Sequence, residues 1–169
     1  MAGKSTDMAE LLTAALAGSD WVDPPPAKSA AVEGLRRLSG GANMETWALD
    51  WVDGEKTLPL ILRRLPLGTA GASDEAVLVG SIDLPTEAAV IRQAASCGVS
   101  VPRVVLVLQP EHGLGSGYIM TRERGEALPF RILADAKYAD ARERLAYQCG
   151  ETLARIHAIS LAALPSGLR

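Results

Sequence analysis

The chain has 169 residues, 48% of them apolar and 22% charged, with a net charge of -3 and a pI of about 5.4. That length fits one ordinary domain, or one lobe of a larger domain with a helix attached, and excludes two complete domains. The acidic balance leaves no electrostatic footprint for nucleic acid, and no apolar stretch approaches the roughly 20 residues of a membrane span, so a soluble, cytoplasmic protein is expected, with neither nucleic acid nor membrane as partner.

Asp7-Met8-Ala9-Glu10 has the form of a helix start, with Asp7 as N-cap and Glu10 three residues on. Met8, Leu11, Leu12, Ala15 and Leu16 then recur at helical spacing as far as Gly18. Pro24-Pro25-Pro26 cannot continue a helix, so residues 19–30 read as a connector. Three antiparallel strands follow: Leu35–Leu38, then Trp47–Val52 with Trp47, Leu49 and Trp51 on one face, then Leu58–Leu65. The Gly40-Gly41 and Asp53-Gly54 turns join them. Residues 66–84, rich in Gly, Ala and Ser, form a long loop. Pro85-Thr86-Glu87 opens a helix with Thr86 as cap, Ala88, Ile91 and Ala95 on one face, and Gly98 at its end. Val101–Leu108 and Tyr118–Thr121 are two further strands, joined by the turn-rich Gln109–Gly117. A last helix runs from about Ala139 to Ser160, and its apolar stripe of Leu145, Cys149, Leu153 and Ile156 needs a partner.

Few residues offer chemistry. Cys97 and Cys149 lack the close spacing of a metal or redox pair and read as buried free thiols. His112 and His157 are too few for a histidine-based metal site. The Gly40-Gly41 turn would let backbone amides approach phosphate oxygens, although such a pair between strands is more often only a tight turn. It is neither a P-loop, which needs Gly-Lys-Ser/Thr, nor a dinucleotide fingerprint, because a strand follows it. On the third strand, alternation puts Ile61 and Arg63 on one face and Leu62 and Arg64 on the other, so one arginine faces the cleft. A cation there could pair with nucleotide phosphates and be steadied by a carboxylate on the next helix, for which Glu87 is the first candidate. Taken alone, Glu87 would be a first-turn acid interacting with the helix dipole.

Six stretches in one order carry a resemblance. They are Leu38-Ser39-Gly40-Gly41-Ala42-Asn43-Met44-Glu45-Thr46-Trp47, Leu62-Arg63-Arg64-Leu65-Pro66, Pro85-Thr86-Glu87-Ala88-Ala89-Val90-Ile91, Val99-Ser100-Val101-Pro102-Arg103-Val104, Tyr118-Ile119-Met120-Thr121-Arg122-Glu123-Arg124-Gly125-Glu126 and Leu153-Ala154-Arg155-Ile156-His157. Over about residues 32–160 the chain resembles the amino-terminal lobe of the aminoglycoside phosphotransferase family, small-molecule kinases that share the protein-kinase-like fold. The Arg-Arg-Leu-Pro form looks most like the branch associated with acyl-CoA dehydrogenases, where arginine replaces the usual lysine. The resemblance implies an α+β fold: a five-stranded antiparallel sheet with one packed helix, plus an N-terminal helix and the first helix of a C-terminal lobe. Its segments would be a helix and connector at 1–30, the nucleotide-binding lobe at 31–126 and the start of the second lobe at 127–169.

The same resemblance implies that Gly40 and Gly41 cover the phosphates of ATP, that Arg63 stands for the lysine, and that Glu87 is its partner. Met120 would back the adenine pocket, and Thr121–Arg124, including Arg122 and Arg124, would be the hinge whose backbone meets the adenine edge. The family's H-G-D-x-x-x-x-N loop and its later magnesium-binding aspartate should follow the last helix, and neither occurs in this sequence. Magnesium is thus expected for the family while its ligands are absent here. Asp50-Trp51 superficially matches the metal-binding D-W pattern but comes far too early, so Asp50 reads as a decoy. The implied function is the amino-terminal part of an ATP-dependent phosphotransferase acting on a small-molecule hydroxyl, without turnover alone. The alternative is a non-catalytic nucleotide-binding or docking module that associates with itself or a partner chain through the last helix.

Overall fold

The computed structural model describes residues 2–21, 27–38, 44–66, 82–165 and 168, with side chains from Asp7 onward. The Gly40-Gly41 turn, the three consecutive prolines and most of the 66–84 loop lie outside the described residues.

Five strands form one antiparallel sheet: β1 (Ala31–Arg37), β2 (Glu45–Asp53), β3 (Lys56–Arg64), β4 (Val104–Val107) and β5 (Gly117–Thr121). Their spatial order is β1-β2-β3-β5-β4. The helices are α1 (Ala2–Ala17), α2 (Leu84–Ser96), α3 (Pro129–Ala134) and α4 (Ala139–His157). This is an α+β architecture with the strand and helix order of a kinase-like amino-terminal lobe.

Side-chain alternation gives the sheet two faces, each with its own helix. Register pairs Leu49 with Leu60, Trp47 with Leu62, and Leu62 with Ile119, which lines these residues up on one face. There Met8, Leu12, Ala15 and Leu16 of α1 pack on them, together with Trp51 and Val105. Leu12 and Leu16 are fully buried, and burying a leucine side chain contributes about 1.5–3 kcal/mol. The opposite face carries Ile61, Arg63, Tyr118 and Met120 in register, and Leu84, Ala88 and Ile91 of α2 pack against Tyr118 and Met120.

Thr13 ties α1 to the sheet's outer strand. Its Oγ1 donates to Ala9 O at 2.8 Å and accepts from Val32 N at 2.9 Å, so an amide on the free side of β1 is satisfied by a side chain. Trp21, just beyond α1, donates from Nε1 to Leu16 O at 3.0 Å and meets Trp51 edge-to-face at 6.1 Å.

Several expectations change. The first helix begins at Ala2, and Asp7 lies inside it rather than at its cap. Residues 2–6 contain no proline to stop the helix, and each residue added to an existing helix gains a hydrogen bond. The first strand begins at Ala31 rather than Leu35, with an irregularity between Glu33 and Arg36 where Gly34 adopts φ +62°. The cap of α2 is Asp83 rather than Thr86: Asp83 Oδ1 accepts from Thr86 N at 2.6 Å. The helix α3 has no counterpart among the predicted elements. The last helix stops at His157, and Arg142 Nη1 holds its start by donating to Ile132 O at 2.8 Å and Asp135 O at 2.9 Å. Cys97 and Cys149 are both exposed free thiols, not buried ones. Cys97 falls at the end of α2, and Cys149 lies on a helix with no buried residue. No helix among the described residues is long and apolar enough to cross a membrane.

Candidate functional site

Strand β3 delivers two adjacent arginines to opposite faces, and their partners differ in kind. Arg64 is 4% exposed. Its Nη2 lies 2.9 Å and its Nε 3.0 Å from Glu45 Oε2, its Nη1 donates to Leu114 O at 3.3 Å, and its guanidinium sits 6.0 Å from the Trp47 ring centre. These partners occupy it structurally.

Arg63 lies on the α2 face. Its Nε stands 3.2 Å from Glu87 Oε1 and 3.4 Å from Oε2, and among the described residues Nη1 and Nη2 have no partner. A guanidinium held by Nε keeps its outer fork free, the geometry that matches two oxygens of a phosphate. The pair is part-exposed, 33% for the Arg63 side chain and 28% for that of Glu87.

Tyr118 completes this arrangement, and the sequence did not single it out. It is register-paired with Arg63 across the β3–β5 ladder, and its Oη donates to Glu87 Oε1 at 3.1 Å. Burial first, and the Glu87 charge second, push its phenol far above the ordinary 10.0, so it remains a neutral donor. The Glu87 carboxylate is thereby anchored to β3 and β5 at once, which fixes the position of α2. The available signal was alternation, since Tyr118 lies two residues before Met120 and shares its face, but a strand tyrosine reads first as core. Gly117 enables the close approach of the two strands: a Cβ there would stand 2.6 Å from Arg63 O and 2.7 Å from Arg64 Cβ.

The remaining predicted positions divide. Met120 is partly buried and packs with Tyr118 and the α2 residues. Arg122 follows β5, donates its backbone N–H to Pro59 O at 3.0 Å, and reaches Asp50 Oδ1 with Nη2 at 2.7 Å. Asp50 therefore has a partner that no metal pattern would have given it. Arg124 is exposed and makes no hydrogen bond or ion pair among the described residues. Gly40 and Gly41 lie outside the described residues.

The outer fork of Arg63, without a partner among the described residues, fits a phosphate group. Magnesium fits less well: no group of three or more His, Cys, Asp or Glu side chains able to hold a metal occurs among the described residues. No curated protein matches the sequence. The model of the phosphotransferase enzyme family matches residues 34–167, from β1 to beyond α4, and the chain belongs to that family.

Proposed function

We propose that this chain is the nucleotide-gripping part of an ATP-dependent phosphotransferase whose acceptor is a hydroxyl of a small molecule. The observation that carries the reading is Arg63, held at Nε by a Glu87 that Tyr118 also anchors, with its outer nitrogens unpartnered among the described residues and suited to phosphate oxygens. Phosphoryl transfer rests on positioning and on charge stabilisation, and this arrangement supplies one fixed cation for both. Gly40 and Gly41 cover the phosphates, Met120 backs the base, and Arg122 and Arg124 belong to the hinge.

A base and metal ligands are also required for turnover, and these 169 residues contain no H-G-D segment to provide them. The reading is therefore binding without turnover by this chain alone, with residues 31–126 as the binding lobe, 1–30 as its appended helix and connector, and 127–169 as the start of a second lobe. The Arg-Arg-Leu-Pro segment favours the acyl-CoA-dehydrogenase-associated branch, since a Nε-held arginine explains how that residue can replace lysine. Two exposed free thiols suit a reducing, cytoplasmic setting. Titration calorimetry with ATP and magnesium tests the reading: saturable binding that weakens in Arg63→Ala supports it, and no binding by the unaltered chain overturns it.

A second reading has its own observation. On α4, Leu145, Leu153 and Ile156 are exposed, and Gln148, Cys149, Thr152, Leu153 and Ile156 line a shallow groove. An apolar stripe of this kind favours a docking module that associates with itself or with a partner chain.

A further inference from the structure

The sheet face that carries Arg63 holds a second charged pair, at its other end. Asp50 on β2 is register-paired with Pro59 on β3, and Pro59 lies four residues before Arg63 on the same face. At the usual rise per residue of a strand, this sets the Asp50 and Arg63 positions about 13 Å apart along the strand direction. Arg122 enters from beyond β5, anchored by its backbone to Pro59 O, and its side chain crosses β3 to reach Asp50. Both side chains are about one-third exposed, Arg122 at 30% and Asp50 at 32%. The carboxylate uses Oδ1 for Arg122, and no donor among the described residues reaches Oδ2. The adjoining strand makes room for that oxygen. Gly34 takes φ +62° at the β1 irregularity, and a Cβ there would stand 3.1 Å from Asp50 Oδ2.

We propose that Asp50 and Arg122 form a ribonucleoside-recognition element, in which the Arg122 guanidinium plane covers a face of the base and Asp50 Oδ2 accepts from a ribose hydroxyl. This rests on the nucleotide-binding reading of Arg63. Three observations favour a nucleoside over a bare anion. The guanidinium is already neutralised by Asp50, so it offers a flat stacking surface more than a charge. The unpaired oxygen is an acceptor, suited to a hydroxyl and repelling a phosphate. The backbone offset from Arg63, about 13 Å along the strand, suits an extended nucleoside triphosphate rather than a single phosphate. Asp50 acts here both as a contact and as the residue that positions Arg122.

Calorimetry with two probes, ATP and inorganic tripolyphosphate, tests this, because tripolyphosphate carries the charge without base or sugar. Asp50→Asn and Arg122→Ala are each expected to weaken ATP about tenfold while leaving tripolyphosphate within about twofold. Arg63→Ala weakens both. Arg122→Lys keeps the ion pair with Asp50 but lacks the plane, so it is expected to lose ATP affinity with the fold intact. Equal weakening of both probes, or an unchanged ATP affinity, in Asp50→Asn and Arg122→Ala overturns the inference while the Arg63 site stands. Failure of the unaltered chain to bind ATP overturns the nucleotide reading and this element with it.

Discussion

Arg63 and lysine differ here by more than size. A lysine at this position would share the three hydrogens of one ammonium between Glu87 and a phosphate oxygen, and could not hold Glu87 through an inner atom while presenting a two-pronged fork. Arg63→Lys is therefore expected to weaken ATP by about tenfold, read by titration, with little change in melting temperature because the pair is part-exposed. Tyr118→Phe should cost about 1 kcal/mol, the typical net worth of a hydrogen bond, and release one tether of Glu87. Its pH signature has a definite sign. The folded chain holds the phenol neutral well above 10.0, so the contribution is complete below that pH and is lost as pH rises past it, where the unfolded chain ionises. Urea titrations at rising alkaline pH should show this decline in the unaltered chain and a flatter profile in Tyr118→Phe. Arg63 and Glu87 were legible in the sequence because strand alternation and the first turn of a helix both leave a periodic trace. The contacts of Tyr118 and Asp50 were not, since they depend on strand register and on a side chain arriving from beyond β5, neither of which a linear pattern records.

Among the elements, α1 was the easiest to read and α3 the hardest, for one reason: periodicity needs length. The stripe Met8, Leu12, Ala15 and Leu16 repeats over two turns and marks the buried side, whereas α3 has six residues and no buried ones. Strand β1 was obscured by its irregularity at Gly34, which resets the alternation, and by Glu33, Arg36 and Arg37, which dilute the apolar signal. The cap of α2 was ambiguous because Asp83 and Thr86 both have capping side chains, and Pro85 between them fits a first turn whose amides need no intrahelical partner. Since α1 covers the face opposite Arg63, its loss should affect stability before ligand contacts. Leu12→Ala is expected to cost about 2–5 kcal/mol, measured by urea unfolding, with ATP affinity of the folded fraction unchanged.

For the molecule as a whole, association is the property most exposed to test. Light scattering on a size-exclusion column should show species larger than a monomer whose proportion rises with concentration, and Leu153→Glu, which places a charge in the α4 groove, should shift them to monomer. A monomer at every concentration would remove the α4 stripe from consideration as a self-association interface. The overall α+β order was readable because five short extended segments and three longer helical segments are separated by Gly- and Pro-rich turns. The surroundings of α4 were not, because an apolar stripe names no partner, and Leu145, Leu153 and Ile156 are exposed.

The hydroxyl of Thr13 has a consequence for this protein in concentrated solution. An outermost strand with bare amides is a template onto which a neighbouring molecule can add its own strand, and repetition of that step is how filaments and precipitates begin. Here one such amide is consumed by a side chain from α1, so the helix that seals the back of the sheet also blocks templating at its rim.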